Sequence, residues 1–88
     1  MLRETYHPNA YLSNIRNIKR GLRARTKILN VLGGGAVDAR TVAKETAMPY
    51  NVVMHHLHLL EAEGIVKRQG GKPHVWALTG LGQKRLVD

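Results

Sequence analysis

The stretch from Met48 to Trp76, MPYNVVMHHLHLLEAEGIVKRQGGKPHVW, carries a helical apolar pattern that stops at a glycine and passes into a hairpin pattern. Pro49 suits the first position of a helix, because its missing N–H would have no partner there. The apolar stripe of this helix consists of Val53, Leu57 and Leu60. Its spacing and the stop at Gly64 predict a helix over about residues 49–63.

Two strands are indicated after this helix. Residues 65–68 (IVKR) and 74–78 (HVWAL) are strand-like, and residues 69–73 (QGGKP) between them form a flexible, basic tip. We therefore predict a β-hairpin, called the wing below, over about residues 65–78. Thr79 is suited to cap a last short helix, although two glycines weaken its first turn. That helix would carry Leu81, Leu86 and Val87.

Two further helical regions precede the stretch. Asp38 is a suitable N-cap for a short helix through Thr46, with a small apolar face of alanine and valine. Apolar residues also recur at helical spacing from Tyr11 to a stop at the triple glycine 33–35. Gly21 leaves two alternatives open, one continuous helix or two helices over 12–20 and 23–32, because an interior glycine costs about 1 kcal/mol.

The order of these elements indicates one mainly α domain with a small β-hairpin, a winged helix-turn-helix over residues 11–88. Residues 1–10 contain the turn-like cluster 7–9 (HPN), so we expect an extended or mobile N-terminal arm. The 88 residues include no cysteine, which excludes disulfides and thiolate sites. No apolar run is long enough for a membrane span. We expect a soluble, cytoplasmic, nucleoid-associated protein.

Charge is concentrated at the N-terminal end of the chain. Fourteen basic residues against six acidic ones give a net charge of +8, and residues 16–27 contain no acid. Such a balance favours a polyanionic partner. Four basic residues would share one helical face if the helix continues through Gly21: Arg16, Arg20, Arg23 and Lys27. Because solvated faces usually mix both signs of charge, we favour phosphate contact for this face.

In a helix-turn-helix, the second helix lies in the major groove, and its outward residues meet base edges. For the helix over 49–63, the outward set is Tyr50, Asn51, Met54, His55 and His58. Asn51 can pair bidentately with adenine, and Met54 can touch a thymine methyl. The tyrosine and histidines can donate to phosphates or base acceptors. We therefore predict that this set contacts DNA, and the alternative is an ordinary solvated face.

The chain resembles the ArsR-type winged-helix regulators over about residues 23–86. The resemblance lies in residues 41–44 (TVAK), 48–61 (MPYNVVMHHLHLLE), 64–66 (GIV), Arg68 and 76–79 (WALT). It implies DNA contact from the outward set and backbone contact from Arg68 and Lys72 in the wing. It also implies that His56 is a partly buried, hydrogen-bonded structural histidine. The cysteine or carboxylate–histidine sets of the family's metal sensors are absent, and the last helix is too short for the usual dimer interface.

Metal binding and catalysis are not favoured. His55 and His58 lie at i and i+3, but two ligands are too few, and a third would have to come from His74 or His7. No nucleophile triad or paired carboxylate is present, and the triple glycine lacks the Lys-Ser/Thr of a phosphate loop. We expect a protein that is not an enzyme, with no metal, no cofactor and no small-molecule ligand.

These observations predict a sequence-specific regulator that binds double-stranded DNA. A homodimer is favoured, with an interface from Leu12, Ile15, Ile18 and Leu22, although this stripe could instead cover the domain's own core. Two alternatives remain. The protein could coat DNA without sequence preference, which the charge alone would explain. It could also be an interaction domain that docks the outward set on another protein.

Overall fold

A computed structural model of the chain describes residues 5–12, 17–72 and 74–80. A 3-10 helix spans Pro8–Ala10. The helices are α1 (Lys19–Leu32), α2 (Ala39–Thr46) and α3 (Tyr50–Ala62), and the strands are β1 (Val37–Asp38), β2 (Val66–Gln69) and β3 (Val75–Leu78). The predicted fold class, mainly α with a hairpin wing, is confirmed. No helix in these ranges has the length and apolar character that a membrane span requires.

The wing belongs to a three-stranded antiparallel sheet in the order β1-β3-β2. β2 pairs with β3, so that Arg68 lies opposite Trp76, and Val37 of β1 lies opposite Trp76 from the other side. The hairpin was predicted, but β1 was not. A strand of two residues is too short to produce an alternating pattern in the sequence.

The core lies where the three helices meet the sheet. The predicted stripe of α3 is confirmed, because Val53, Leu57 and Leu60 are completely buried. Trp76 on β3 is the largest buried side chain, with 1% of its surface exposed. It anchors the wing to the helical part of the core, since burying an aromatic side chain of this size removes much apolar surface from water.

The ends of α2 and α3 follow the local sequence. The Asp38 side chain accepts a hydrogen bond from the Thr41 amide at 2.8 Å, which confirms the predicted N-cap. Hydrogen bonds from the Thr41 side chain first, and then from its amide, lower the pKa of the Asp38 carboxyl. α3 begins at Tyr50 with Pro49 as its N-cap, one residue later than predicted. Gly64 adopts a φ of +78°, which glycine tolerates, and the chain turns there from α3 into the wing.

α1 passes through Gly21 without a break, so the continuous alternative holds from Lys19 onward. The predicted start near residue 12 is wrong, because residues 17 and 18 are not helical. Asn17 explains this difference. Its side-chain Oδ1 accepts from the Leu12 amide at 2.7 Å, and its Nδ2 donates to the Leu12 carbonyl at 2.9 Å. Such side-chain bonds to the backbone compete with helix formation.

The N-terminal segment is packed rather than extended as a free arm. The His7 amide donates to Thr26 Oγ1 at 2.9 Å, and Asn9 and Ala10 are completely buried. Ala10 belongs to the same apolar cluster as the helices. Residues 5–12 therefore complete the core over one side of α1, which corrects the expectation of a mobile arm for this part of residues 1–10.

The predicted dimer stripe divides into buried and exposed members. Leu12 and Leu22 are only 5% and 6% exposed and lie in the protomer's own core, so their assignment to a dimer interface is wrong. They cover the core because residues 5–12 fold back onto α1. Ile18 is 55% exposed and remains available to a partner. Ile15 and the predicted helix after Thr79, with Leu81, Leu86 and Val87, lie outside the described residues.

Candidate nucleic-acid interface

The outward set of α3 occupies one side of the helix. Tyr50, Asn51, His55 and His58 are exposed, which confirms the orientation predicted for them. Met54 is half-buried and packs against the core. The face therefore offers a tyrosine hydroxyl, an amide and two imidazoles to a groove, with one thioether at its edge.

The wing is tied to this helix by its basic residue and its tryptophan. The Arg68 guanidinium lies 5.7 Å from the Trp76 ring centre, and its Nε donates to Glu61 Oε2 at 3.0 Å. The His58 ring packs edge-on against Trp76, with ring centres 5.8 Å apart. Because the Arg68–Glu61 pair is exposed, its Coulomb energy is small, and its role is to hold the wing beside α3.

A groove with a volume of about 200 Å³ separates α3 from the wing. Tyr50 and Met54 of α3 line it together with Arg68, Lys72 and Trp76 of the wing. Its other lining residues are Asp38, Ala39, Arg40 and His74. The groove thus brings two predicted residues of α3, Tyr50 and Met54, together with Arg68 and Lys72, whereas Asn51, His55 and His58 do not line it.

Arg40 was missed by sequence reasoning. It is exposed in the first turn of α2, and its guanidinium lies 5.9 Å from the centre of the Tyr50 ring. A cation in this position holds the tyrosine ring through a cation–π contact. Its signal in the sequence was a basic residue two positions after the Asp38 cap, in the first turn of the short α2 helix.

The basic face of α1, consisting of Arg20, Arg23 and Lys27, is exposed as predicted. Arg16 lies outside the described residues. Val52 and His56 of α3 line a second cavity together with this face, whereas Tyr50 and Met54 line the groove beside the wing. Since residues advance about 100° around a helix, the two pairs point to different sides of α3. Basic residues therefore flank the outward set on both sides.

Arg25 is separate from the basic face. It is 3% exposed, its Nε donates to the Ala10 carbonyl, and its terminal nitrogens contact Asn17 Oδ1 at 3.2 Å and His56 Nδ1 at 3.3 Å. The sequence contained a signal for this burial, because Arg25 continues the core positions Leu22 and Leu29 at steps of three and four.

His56 is the hydrogen-bonded structural histidine that was expected. A guanidinium can only donate, so Nδ1 of His56 accepts and the neutral ring carries its proton on Nε2. Burial first, and then the charges of Arg25 and His55, lower the pKa of His56 to about 4. Its ring is therefore neutral near pH 7.

No three histidine, aspartate or glutamate side chains come close enough to hold a metal ion within residues 5–12, 17–72 and 74–80. His74, considered above as a possible third ligand, contacts the Gly70 carbonyl through Nδ1 at 3.1 Å. That contact shapes the tip of the wing.

No protein-family model and no curated protein matches the sequence. Several solved structures, however, match it. The Zα domain from Carassius auratus PKZ, in complex with Z-DNA, is 33% identical, and the match covers 65% of this chain and 94% of that one with a TM-score of 0.62.

Two mycobacterial structures share the fold at lower identity. The homodimeric winged helix-turn-helix DNA-binding domain of a possible ArsR-family regulator from Mycobacterium bovis is 19% identical, with a TM-score of 0.66. The match covers 74% of this chain and 63% of that one. RV1404 from Mycobacterium tuberculosis is 17% identical, with coverage of 74% and 46% and a TM-score of 0.64. These likenesses agree in the arrangement of helices and wing.

Proposed function

Since the chain belongs to the winged helix-turn-helix domains, we propose that it binds double-stranded DNA at a specific sequence and thereby regulates transcription. The exposed face of α3, with Asn51 between basic residues on both flanks, is the observation that carries the proposal. A major groove about 12 Å wide admits one helix, so this face would meet base edges while the flanks meet phosphates. The proteins of known structure that share the fold support this reading.

Each part of the surface has its own role in this proposal. Asn51 pairs with a base, and Tyr50, Met54, His55 and His58 contact bases or the adjacent backbone. Lys72 and Arg68 bind phosphates from the wing. The basic face of α1, together with Arg16, binds phosphates on the other flank. Arg40 holds Tyr50 in position and adds a further positive charge near the backbone.

Asn51→Ala should cost about 1 to 3 kcal/mol at one base position, because an amide bonds a single base edge. Lys72→Ala should weaken all sequences alike and lower the salt dependence by about one unit, since a phosphate contact releases counterions. Lys72 is the cleaner test of the wing, because Arg68 also bonds Glu61. Fluorescence anisotropy with single-base duplex variants at several salt concentrations measures both effects.

Asn30→Ala is the matched control for this pair, because Asn30 is exposed on α1 and lines neither groove. It should leave affinity and salt dependence unchanged. Equal losses on every duplex for Asn51→Ala and Lys72→Ala would contradict base readout. A protein that coats DNA would show this behaviour, with much less than the roughly thousandfold site preference of a regulator.

We also propose that the protein acts as a homodimer with Ile18 at the interface, because 55% of this large apolar side chain is exposed. Two α3 helices about 34 Å apart would then meet successive major grooves. Ile18→Asp should convert dimer to monomer in sedimentation experiments. The change should not unfold α1, because Ile18 is its N-cap and aspartate is a favourable capping residue. Asn30→Asp adds the same charge elsewhere on α1 and should remain dimeric, and an unchanged mass for Ile18→Asp would exclude this interface.

A left-handed duplex is a second candidate ligand. The observation in its favour is the 33% identity to a Zα domain whose structure contains Z-DNA, over 94% of that domain. The edge-on packing of His58 against Trp76 gives α3 and the wing one rigid shared surface for such a duplex. The same anisotropy titration, run on an alternating dC-dG duplex in right- and left-handed forms, separates the two candidates. A protein that docks another protein through Tyr50 and His55 would bind neither form tightly.

A further inference from the structure

The second cavity, between α1 and α3, is not needed to read base edges. It has a volume of about 460 Å³, which lies in the range of pockets that hold small organic ligands. It is open to solvent on the side of α3 away from the wing. Its lining residues are Lys19, Arg20, Arg23, Ala24, Lys27, Met48, Val52 and His56.

The lining carries positive charge only. Four of its residues are cations, all on α1, and none is acidic. Within the described part of the chain, Arg20 and Lys27 have no ion pair. Cations held at successive turns of one helix repel each other, and an anion between them relieves this repulsion.

The floor of the cavity is apolar. Ala24 is buried, and the side chains of Met48 and Val52 are half-buried beside it. His56, which carries its proton on Nε2, adds one neutral donor to the lining. A bare inorganic ion would leave this floor in contact with water, whereas a ligand with an apolar body would cover it.

We propose that this cavity binds an amphipathic organic anion. Its acidic head contacts the cations of α1, and its apolar body covers Ala24, Met48 and Val52. A consequence follows for regulation, and this consequence rests on the proposed DNA-binding function. The ligand neutralises Arg20, Arg23 and Lys27, the same residues that would bind phosphates, so ligand and DNA backbone exclude each other.

Binding is tested first on the protein without DNA. The probe is 8-anilinonaphthalene-1-sulfonate, an aromatic sulfonate whose fluorescence rises in an apolar site, and octanoate and inorganic phosphate are competitors. Arg20→Gln/Lys27→Gln should weaken probe binding by about tenfold, the effect of two modest ion contacts. Lys44→Gln/Lys67→Gln removes two other exposed positive charges that do not line the cavity, and it should change probe binding less than about twofold. All four residues are exposed, so neither variant should unfold.

The position of the ligand and its effect on DNA complete the test. On addition of octanoate, the methyl resonances of Met48 and Val52 should shift, while those of Val75 in the wing should not. Equal losses in both double variants, or displacement by phosphate as effective as by octanoate, would overturn the site. Octanoate that occupies the site without weakening DNA binding would overturn only the regulatory consequence. A protein that binds the probe but no duplex would overturn the proposed function and leave the site standing.

Discussion

Arg25→Met is expected to lower the free energy of unfolding by about 3 kcal/mol. The guanidinium of Arg25 is buried and joins three parts of the chain, because it bonds the Ala10 carbonyl, the Asn17 side chain and the His56 ring. Methionine has a similar length but no donors, so it leaves these buried acceptors without partners. Urea denaturation monitored by circular dichroism measures the change.

Arg20→Met is the control for Arg25→Met, since it removes an exposed arginine from the same helix and should change stability by no more than about 0.5 kcal/mol.

Gly21→Ala is a second test of whether the Arg25 guanidinium is held in place. A Cβ on Gly21 would lie 2.8 Å from a terminal nitrogen of Arg25. The substitution should therefore gain the usual helix preference of about 1 kcal/mol only when Arg25 is already methionine. A gain of equal size in both backgrounds would show that the guanidinium is not held.

The stability of the protein should fall by about 3 kcal/mol between pH 6.5 and pH 4, because the pKa of His56 drops from 6.5 to about 4 on folding. Between these two pH values, His56 binds a proton in the unfolded chain but not in the folded protein. Stability is therefore complete above pH 6.5 and is lost as the pH falls towards the folded pKa. Burial also lowers the pKa of His7, which adds a loss of the same sign. Denaturant midpoints at a series of pH values measure the slope.

His56→Gln should flatten this slope, since glutamine retains an acceptor for Arg25 but has no titrating group in the window. His74→Gln removes an exposed imidazole of the wing and serves as the control, with an expected slope close to that of the unchanged protein. If His56→Gln keeps the full slope, the acid sensitivity arises elsewhere, and the neutral Arg25–His56 contact does not determine it.

Sequence reasoning was most accurate where structure depends on neighbours along the chain. The stripe of α3, the Asp38 cap and the stop at Gly64 are local patterns, and the structure confirms each. The hairpin was found for the same reason, because its two strands flank a glycine-rich tip. The orientation of Asn51 followed directly from the stripe, since the outward face of a helix is fixed once its buried face is known.

Features that depend on distant residues were missed. The hydrogen bond from Arg25 to Ala10 spans 15 residues, and the one from Arg25 to His56 spans 31, so no local sequence pattern predicts them. The bond to Ala10 holds the N-terminal segment against α1, and the packing of this segment makes Leu12 a core residue rather than the expected interface residue. Strand β1 forms because it pairs with the edge of β3, and this pairing also depends on residues far apart in the sequence. The cavity beside α1 depends on how two helices cross, which spacing alone does not specify.

Trp76 is the only tryptophan of the chain, and it contacts both the His58 ring and the Arg68 guanidinium. Its fluorescence therefore comes from the place where α3, proposed to enter the DNA groove, meets the wing, proposed to contact the DNA backbone. Any ligand that moves one relative to the other changes the surroundings of this single fluorophore. The protein thus carries an intrinsic, buried optical probe beside the groove between α3 and the wing, and ligand occupancy can be followed without attaching a dye.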